Sequence, residues 1–225
     1  MRYLRAMFDY GIRKGYLAKN PIKQLDFPKT REEEVETIPN AQVTGMLQDA
    51  LANDLGLLPF LILGFFCGIR PTGELPELDW TDIILDDSHP QVVIRPEVSK
   101  TNRRRFVDLS PNAVAWLEAY RLAGGSMTGP VVNGLSEDTL ATHRKANREA
   151  AGVTRWVQQG MRHTFCSNWL ALHKDVNKLV LMSGHDSPDT MWRHYHRGVT
   201  ETEARAYWAI LPPELSAKMI EFKAA

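Results

Sequence analysis

The sequence is poor in cysteine, has no net charge, and contains no apolar run long enough to span a bilayer. Its two cysteines, Cys67 and Cys166, lie in apolar helical patterns, so we expect buried free thiols in a reducing cytoplasm, with neither a disulfide nor a metal site. The longest apolar run, residues 55–69, is short and contains Pro59, and it therefore predicts a buried helix. The residues after Met1 are polar and periodic, unlike a signal peptide, and no membrane partner is expected.

The net charge of zero hides an uneven distribution of charge along the chain. Residues 1–30 carry a net charge of +5 and residues 31–90 a net charge of −10, whereas residues 91–198 carry +6. Local basic surfaces, not the total, decide whether a protein binds phosphate groups. A nucleic-acid surface is therefore compatible with the composition, although ordinary solvated charge explains the same pattern.

The chain of 225 residues is long enough for one hydrophobic core with a small appendage, and its composition is that of an ordinary soluble globular protein. Hydrophobic periodicity predicts a mainly α fold with a small antiparallel β-sheet. The predicted strands are 83–85, 91–95 and 105–109. The predicted helices are 1–15, 40–53, 55–67, one beginning at Ser110-Pro111, 136–151, one opening with Arg162, two beginning at Asp175 and Ser187-Pro188, 200–210 and 213–223.

An arginine lies at the end of the most hydrophobic predicted helix. The residues Gly68-Ile69-Arg70-Pro71 break that helix and leave Arg70 beside a buried segment. Because a guanidinium group is rarely buried without a partner, Arg70 either pairs with Glu74 or faces the anion of a ligand. Taken by itself, the local pattern favours the ion pair.

Two basic surfaces follow in the chain. The loop between the second and third strands gives the hairpin a basic tip, formed by Lys100, Arg103, Arg104 and Arg105. The helix 136–151 has a basic face, formed by His143, Arg144, Lys145 and Arg148. Each set is either a solvated surface or a contact to a phosphate backbone, and any contact to base edges is expected from the helix.

The segment 159–195 carries the most distinctive residues. Arg162-His163 opens an apolar helix, Gly184-His185 follows the next one, and Tyr195 ends the segment. The tyrosine has basic neighbours in the sequence, namely Arg193, His194, His196 and Arg197. An arginine, a histidine and a tyrosine delivered by successive short helices predict a site for an oxyanion, and a phosphodiester is the obvious candidate.

Each of these residues also has a structural interpretation. Tyr195 is compatible with capping the core from an amphipathic helix, and His185 with ending a helix. We interpret His163 as a packed core histidine, and His194 and His196 as structural or DNA-facing. A metal site formed by His185, His194 and His196 lacks a good ligand pattern, and no metal is expected.

Five residues in this order give the chain a resemblance to the catalytic domain of the tyrosine recombinases, the phage integrase family. The matching segments are GIRPTGELPELDW, SKTNRRRFVDLS, MRHTF and SGHDSPDTMWRHY, which supply Arg70, Lys100, Arg162, His185 and Tyr195. The resemblance covers residues 38–211 and implies that family's fold. It also implies that residues 1–30 are the terminal helix of a truncated core-binding domain with a linker, and that residues 31–225 form the catalytic domain with C-terminal helices.

The resemblance implies a site-specific DNA recombinase or integrase that needs neither a metal nor another cofactor. Tyr195 would attack the phosphodiester to form a 3′-phosphotyrosyl bond, while Arg70 and Arg162 grip its oxygens. Lys100 would protonate the leaving 5′-oxygen, and His185 would hydrogen-bond the phosphate and assist proton movement.

Two positions depart from the family pattern. Gln159 stands where the family has a histidine, three residues before Arg162; it can donate a hydrogen bond to a phosphate oxygen, but it cannot carry a proton. Glu74 lies four residues after Arg70 where the family has three, with Gly73 as the apparent insertion, and it is expected to orient Arg70. Arg193, beside the tyrosine, completes the expected set of DNA contacts.

The resemblance further implies double-stranded DNA as the partner, in the bacterial cytoplasm on the nucleoid, with a phage or mobile element as the source. The family works as a tetramer on two duplexes, and residues 211–222 are the candidate segment for exchange between subunits; a monomer is the alternative without DNA. Two other functions stay open. They are a non-catalytic DNA-binding remnant of an integrase and a relaxer of supercoils similar to the type IB topoisomerases.

Overall fold

The computed structural model describes residues 2–25, 35–85, 88–132, 135–185, 187–195 and 198–213. The chain divides into two compact units, Met1–Glu33 and Glu34–Ala225. The division of function between them, a truncated core-binding domain and a catalytic domain, stays a prediction. Among the described residues, no helix has both the length and the apolarity that crossing a membrane requires.

The first unit contains the predicted N-terminal helix. Helix α1 runs over Arg2–Arg13, and a short 3-10 helix follows at Pro21–Gln24. The side-chain amide of Asn20 joins the two, because it donates to Asp9 Oδ1 at 2.8 Å while its oxygen accepts from the backbone of Ile22 at 3.0 Å.

The helices of the second unit begin and end close to their predicted bounds. Side-chain oxygens cap three of them, since Ser136, Asp175 and Thr200 each accept a hydrogen bond from a backbone N–H in the first turn. Ser110 precedes the helix that begins at Pro111, as expected, but its hydroxyl donates to Oδ1 of Asn112 and makes no capping bond to the backbone. The helices are α2 Asn40–Asn53, α3 Leu58–Phe66, α4 Pro111–Leu122, α5 Glu137–Ala150, α6 Gly160–His173, α7 Val176–Ser183, α8 Pro188–Tyr195 and α9 Glu201–Trp208, with 3-10 turns at Leu75–Glu77 and Trp80–Asp82.

The sheet is three-stranded and antiparallel, as predicted. Strands β1 (Ile83–Ile84), β2 (Gln91–Ile94) and β3 (Arg105–Asp108) lie in the order β1-β2-β3, with Val92 opposite Val107. Side chains alternate between the two faces of a strand. In β3, Arg105 and Val107 are therefore buried while Phe106 and Asp108 are exposed.

The core surrounds α3, every residue of which is buried. Helices α2, α4 and α6 pack against it, and α9 covers α6. The hydroxyl of Tyr207 on α9 donates to the backbone carbonyl of Phe65, which ties the last described helix to the core. Cys67 and Cys166 are buried free thiols, as expected.

Candidate active site

One cavity brings together the five residues that the sequence predicted to share a site. Its volume is about 680 Å³, and its lining comes from five separate parts of the second unit. The chemically distinctive lining residues are Arg70, Glu74, Lys100, Gln159, Arg162, His163, His185 and Tyr195.

The first arginine is placed by a tight turn after α3. Gly68 has a φ of 61°, and a Cβ atom there would lie 2.3 Å from the ring of Phe165, so the turn requires glycine. Beyond it, Arg70 Nη1 bonds Glu74 Oε1 at 2.5 Å, and Nη2 donates to the carbonyl oxygen of Gly184 at 3.1 Å. Arg70 thus has the predicted ion pair and also lines the cavity.

Glu74 holds two arginines at once. Besides Arg70, its carboxylate accepts two bonds from Arg105, at 2.5 Å and 3.1 Å. Burial disfavours ionisation, but the guanidinium groups of Arg105 and Arg70 outweigh it and lower the pKa of Glu74 to about 2. The preceding Gly73 has a φ of 85°, so the extra residue of this loop is accommodated in a conformation that glycine adopts readily. The contact that an orienting role for Glu74 requires is therefore present.

Arg105 does not belong to the basic tip of the hairpin, and its prediction as a DNA contact is wrong. The side chain is 6% exposed, and it lies on the inner face of β3 because residues alternate along the strand. Its Nε donates to the carbonyl oxygen of Met182 at 3.0 Å, so the bonds to Glu74 and α7 occupy the guanidinium group.

Lys100 lies in the turn between β2 and β3. Its side chain is exposed and lines the cavity, while its backbone N–H approaches Glu74 Oε1 at 3.5 Å. Asn102, two residues later, has a φ of 51°, a left-handed conformation that asparagine tolerates in turns. The turn therefore presents the amine at the edge of the cavity.

The second arginine, Arg162, is buried in the first turn of α6. Its Nη1 donates to the carbonyl oxygen of Gly68 at 2.6 Å, and its Nη2 donates to the carbonyl oxygen of Ser183. Burial lowers the pKa of Arg162. The last turn of α7 thus accepts bonds from three arginines on three successive carbonyls, Met182 from Arg105, Ser183 from Arg162 and Gly184 from Arg70.

His185 follows the left-handed Gly184, whose φ is 66°. Its Nδ1 lies 3.2 Å from Arg162 Nη2 and 2.7 Å from the hydroxyl oxygen of Ser183. The guanidinium group of Arg162 only donates, whereas the Ser183 hydroxyl donates to the carbonyl oxygen of Leu179 at 2.6 Å, so Nδ1 either accepts from Arg162 or donates to Ser183. Burial, with Arg162 and Arg70, lowers the pKa of His185 to about 3, so the ring is neutral near pH 7.

Tyr195 is the last residue of α8, and its side chain is 4% exposed. Its hydroxyl oxygen lies 2.9 Å from Nδ1 of His163, and its ring centroid lies 6.1 Å from that of His185. Burial raises the pKa of Tyr195, against the opposing effect of Arg162 and Arg70, so the phenol is protonated near pH 7.

His163 is a cavity residue that sequence reasoning did not assign to the site. Our interpretation of it as a packed core histidine is incomplete, because the half-buried ring both lines the cavity and bonds the hydroxyl of Tyr195. Its position directly after Arg162 was the available signal.

Gln159 directly precedes α6 and has a left-handed conformation, with a φ of 58°; its side chain makes no capping hydrogen bond. It lines the cavity, and its Oε1 is buried with no hydrogen-bond partner among the described residues. The amide group is therefore located where a donor to a phosphate oxygen is expected, and that role stays a prediction.

The remaining predicted DNA contacts differ in their surroundings. Arg103 and Arg104 are exposed and line a neighbouring cavity of about 1000 Å³ between the hairpin and α7. On α5, His143 bonds Asp54 at 2.7 Å and Lys145 is exposed, 3.9 Å from Glu149. The two arginines of α5 lie over rings, Arg144 over Phe60 and Arg148 over Trp156.

Near the tyrosine, Arg193 is exposed and pairs with Asp189 at 2.7 Å. Its role as a DNA contact stays a prediction, as do those of Arg103, Arg104 and the α5 side chains. His196 and Arg197 lie outside the described residues.

Two tyrosine recombinases are similar to this chain in sequence. Tyrosine recombinase XerD of Pseudomonas aeruginosa is 26% identical over 208 residues, which cover 86% of this chain and 68% of that protein. Tyrosine recombinase XerC of Vibrio vulnificus is 23% identical over 211 residues, which cover 86% of this chain and 63% of that protein.

Two solved structures have a similar fold. The crystal structure of XerA recombinase matches with a TM-score of 0.57 and 19% identity, over 96% of this chain and 74% of that one. A lambda integrase dimer bound to a COC′ core site matches with a TM-score of 0.58 and 17% identity, over 83% and 70% respectively. The model of the phage integrase family matches residues 29–201. The chain therefore belongs to the phage integrase family, and its fold is that of a tyrosine recombinase catalytic domain.

Proposed function

We propose that this chain cuts and rejoins double-stranded DNA as a site-specific recombinase, through a 3′-phosphotyrosyl intermediate on Tyr195. Membership of the phage integrase family supports DNA strand transfer as the reaction. The observation that carries the choice of residues is the single cavity lined by Arg70, Lys100, Arg162 and Tyr195, far apart in sequence.

The two arginines suit a reaction that increases the charge on a phosphate. A phosphodiester carries one negative charge, and attack by an oxygen nucleophile places a second on the equatorial oxygens. Each guanidinium group has five N–H donors, so Arg70 and Arg162 can hold a backbone carbonyl and still donate to the phosphate. Donors placed for the transition state contribute about 3–4 kcal/mol each in comparable oxyanion sites.

The leaving group and the covalent bond complete the mechanism. When the phenol oxygen of Tyr195 bonds phosphorus, the 5′-oxygen leaves, and Lys100 at the cavity edge donates the proton that it needs. His185 hydrogen-bonds a non-bridging oxygen of the phosphate. The phosphotyrosyl bond conserves the energy of the phosphodiester, so the strand is resealed without ATP, and the reaction takes no metal or other cofactor.

We extend the proposal to the assembly. Structures of lambda integrase on DNA, one of them a tetramer bound to a Holliday junction, are among the similar folds. A tetramer joined by residues 211–222 is the corresponding proposal for this chain, and residues 214–222 lie outside the described part. We place the reaction on DNA in the bacterial cytoplasm, at the nucleoid.

A nicked suicide duplex that carries the target site tests the function. When the nick lies close to the cleavage site, the short fragment diffuses away and the covalent protein–DNA adduct accumulates for detection in a denaturing gel. We expect an adduct with the natural chain and none with Tyr195→Phe. DNA binding without an adduct would instead support a non-catalytic remnant, which Gln159 motivates, and relaxation of supercoils without strand exchange would support the topoisomerase-like function.

A further inference from the structure

Tyr195 cannot attack phosphorus as a neutral phenol without losing a proton. Its hydroxyl is buried, and burial raises its pKa, so free phenolate is scarce near pH 7. A nucleophile of this kind needs an adjacent base within hydrogen-bond reach, at roughly 2.6–3.2 Å. His163 Nδ1, at 2.9 Å from the hydroxyl oxygen, meets that distance.

The other polar groups of the cavity are poorly suited to accept this proton. Arg70 and Arg162 only donate, and the amide of Gln159 does not carry a proton. The carboxylate of Glu74 is bound by both Arg70 and Arg105. Nδ1 of His185 faces Arg162 and Ser183 rather than the phenol.

We propose that His163 is the general base of strand cleavage, an inference that rests on the proposed function. As the bond from Tyr195 Oη to phosphorus forms, the phenol proton passes to His163 Nδ1, and the bond from phosphorus to the 5′-oxygen breaks with a proton from Lys100. In religation, the 5′-hydroxyl attacks phosphorus, the tyrosine oxygen leaves, and it takes its proton back from His163. The neutral amine of Lys100 takes up the proton that the 5′-hydroxyl loses as it attacks, so the cycle balances.

The surroundings of His163 keep its ring in the form that a base requires. Burial lowers its pKa, and so do Arg162 on the same helix and His194 on α8. Arg70 and His185 also line the cavity, and the one carboxylate among its lining residues, Glu74, is paired with Arg70 and Arg105. The neutral ring with its proton on Nε2 presents Nδ1 as an acceptor to the phenol.

The proton moves from Tyr195 to His163 in the transition state, not in the resting protein. Tyr195 holds its proton more tightly than His163 does while the phenol is intact. The ester oxygen that forms on attack is far less basic than a phenolate, so the transfer becomes favourable as the new bond develops. This is the situation in which general-base catalysis contributes, typically by about 10²- to 10⁴-fold.

The test compares His163→Gln with the natural chain on the nicked suicide duplex between pH 5 and pH 9. Glutamine keeps a polar group of similar size but cannot take up the proton. We expect cleavage by His163→Gln to be slower by about 10²- to 10⁴-fold near pH 7. The rate of the natural chain should fall at acid pH as His163 becomes protonated, and the variant should lack that fall and recover at alkaline pH.

A 5′-bridging phosphorothiolate duplex separates the base from the acid. A sulfur leaving group needs no proton, so this substrate should restore cleavage by Lys100→Ala but not by His163→Gln. His173→Gln is the matched control, because His173 lies on the same helix and is not among the lining residues of the cavity. It should cleave at the natural rate.

The outcomes are distinguishable. If the natural chain forms no adduct, the proposed function itself fails. If the natural chain forms the adduct and His163→Gln cleaves within about threefold of it across the pH range, the inference alone is overturned. If His163→Gln does not fold, the test uses instead a chain that keeps His163 and carries 3,5-difluorotyrosine at position 195. The phenol of this residue is more acidic, so the cleavage rate should fall less at acid pH than it does with tyrosine. A pH–rate profile identical to that of the natural chain would overturn the inference.

Discussion

Glu74 should be worth several kcal/mol of folding stability, because its buried carboxylate binds two guanidinium groups. Its pKa is about 2 in the folded chain, against an ordinary value of 4.5. At about 1.4 kcal/mol for each tenfold change in proton binding, that difference corresponds to about 3 kcal/mol. Glu74→Gln removes this stabilisation and leaves Arg105 buried without a counter-charge, for which losses of about 3–5 kcal/mol are typical.

The expected pH dependence follows from the sign of the shift. A carboxyl group with a lowered folded pKa stabilises the protein above its unfolded pKa, and the stabilisation is lost as the pH falls towards the folded pKa. The difference in free energy of unfolding between the natural chain and Glu74→Gln should therefore be complete above about pH 5.5. Most of it should be lost between pH 5 and pH 2.

Urea unfolding followed by circular dichroism, at pH 7 and pH 3, measures this difference. In a thermal melt, 3 kcal/mol corresponds to a midpoint lower by roughly 6–12 °C for a domain of this size. Glu118→Gln is the matched control, since its pair with Arg121 is exposed, and it should leave the midpoint nearly unchanged. A difference below about 1 kcal/mol for Glu74→Gln, or one that does not shrink at pH 3, would refute the account of the Glu74 site.

Three further predictions concern the turn, the thiols and the hairpin. Gly68→Ala should lower the free energy of unfolding, measured in urea, by about 2–4 kcal/mol. The added Cβ would lie 2.3 Å from the Phe165 ring, and the φ of 61° is unfavourable for alanine. A loss below about 1 kcal/mol would contradict this prediction. Cys67 and Cys166 should react with a thiol reagent only after the chain unfolds, because both thiols are buried. Burial also raises the pKa of each thiol, to about 11 for Cys166, so little reactive thiolate is present. Rapid labelling of the folded chain would contradict this prediction. Arg104→Ala should weaken DNA binding at every sequence and lower the slope of log affinity against log salt by about one, whereas an unchanged slope would remove Arg104 from the phosphate contacts.

The secondary structure was largely predictable because its signals are local. Strands β1 to β3 lie within one residue of their predicted bounds, since β-branched runs are separated by turn residues. Helix α2 has its predicted bounds, and Ser136 and Asp175 cap the helices they were expected to begin. The resemblance, in turn, correctly indicated the fold class and the family.

The residues that line the cavity together were predictable from the sequence, but their contacts were not. Arg105 was grouped with Arg103 and Arg104 because the three are consecutive, yet the two-residue period of β3 turns Arg105 inward. The predicted strand 105–109 already places Arg105 inside the strand and Arg103 and Arg104 before it. His163 was missed for a different reason, because its partner Tyr195 lies 32 residues away, and only the packing of α8 against α6 brings them together.

The end of α7 explains how three like charges are kept side by side in the free protein. The last carbonyls of a helix have no partners within it and carry partial negative charge, so they are natural acceptors for cations. With Glu74 included, Arg70, Arg105 and Arg162 leave an excess of two positive charges before Lys100 is counted. A diester bound in the ground state would cancel one of these charges, and a pentacoordinate phosphorane dianion would cancel both. The charge that develops on the phosphate oxygens during attack therefore meets a positive charge that the intact diester leaves unmatched, and this interaction accelerates the chemistry instead of tightening the hold on intact DNA.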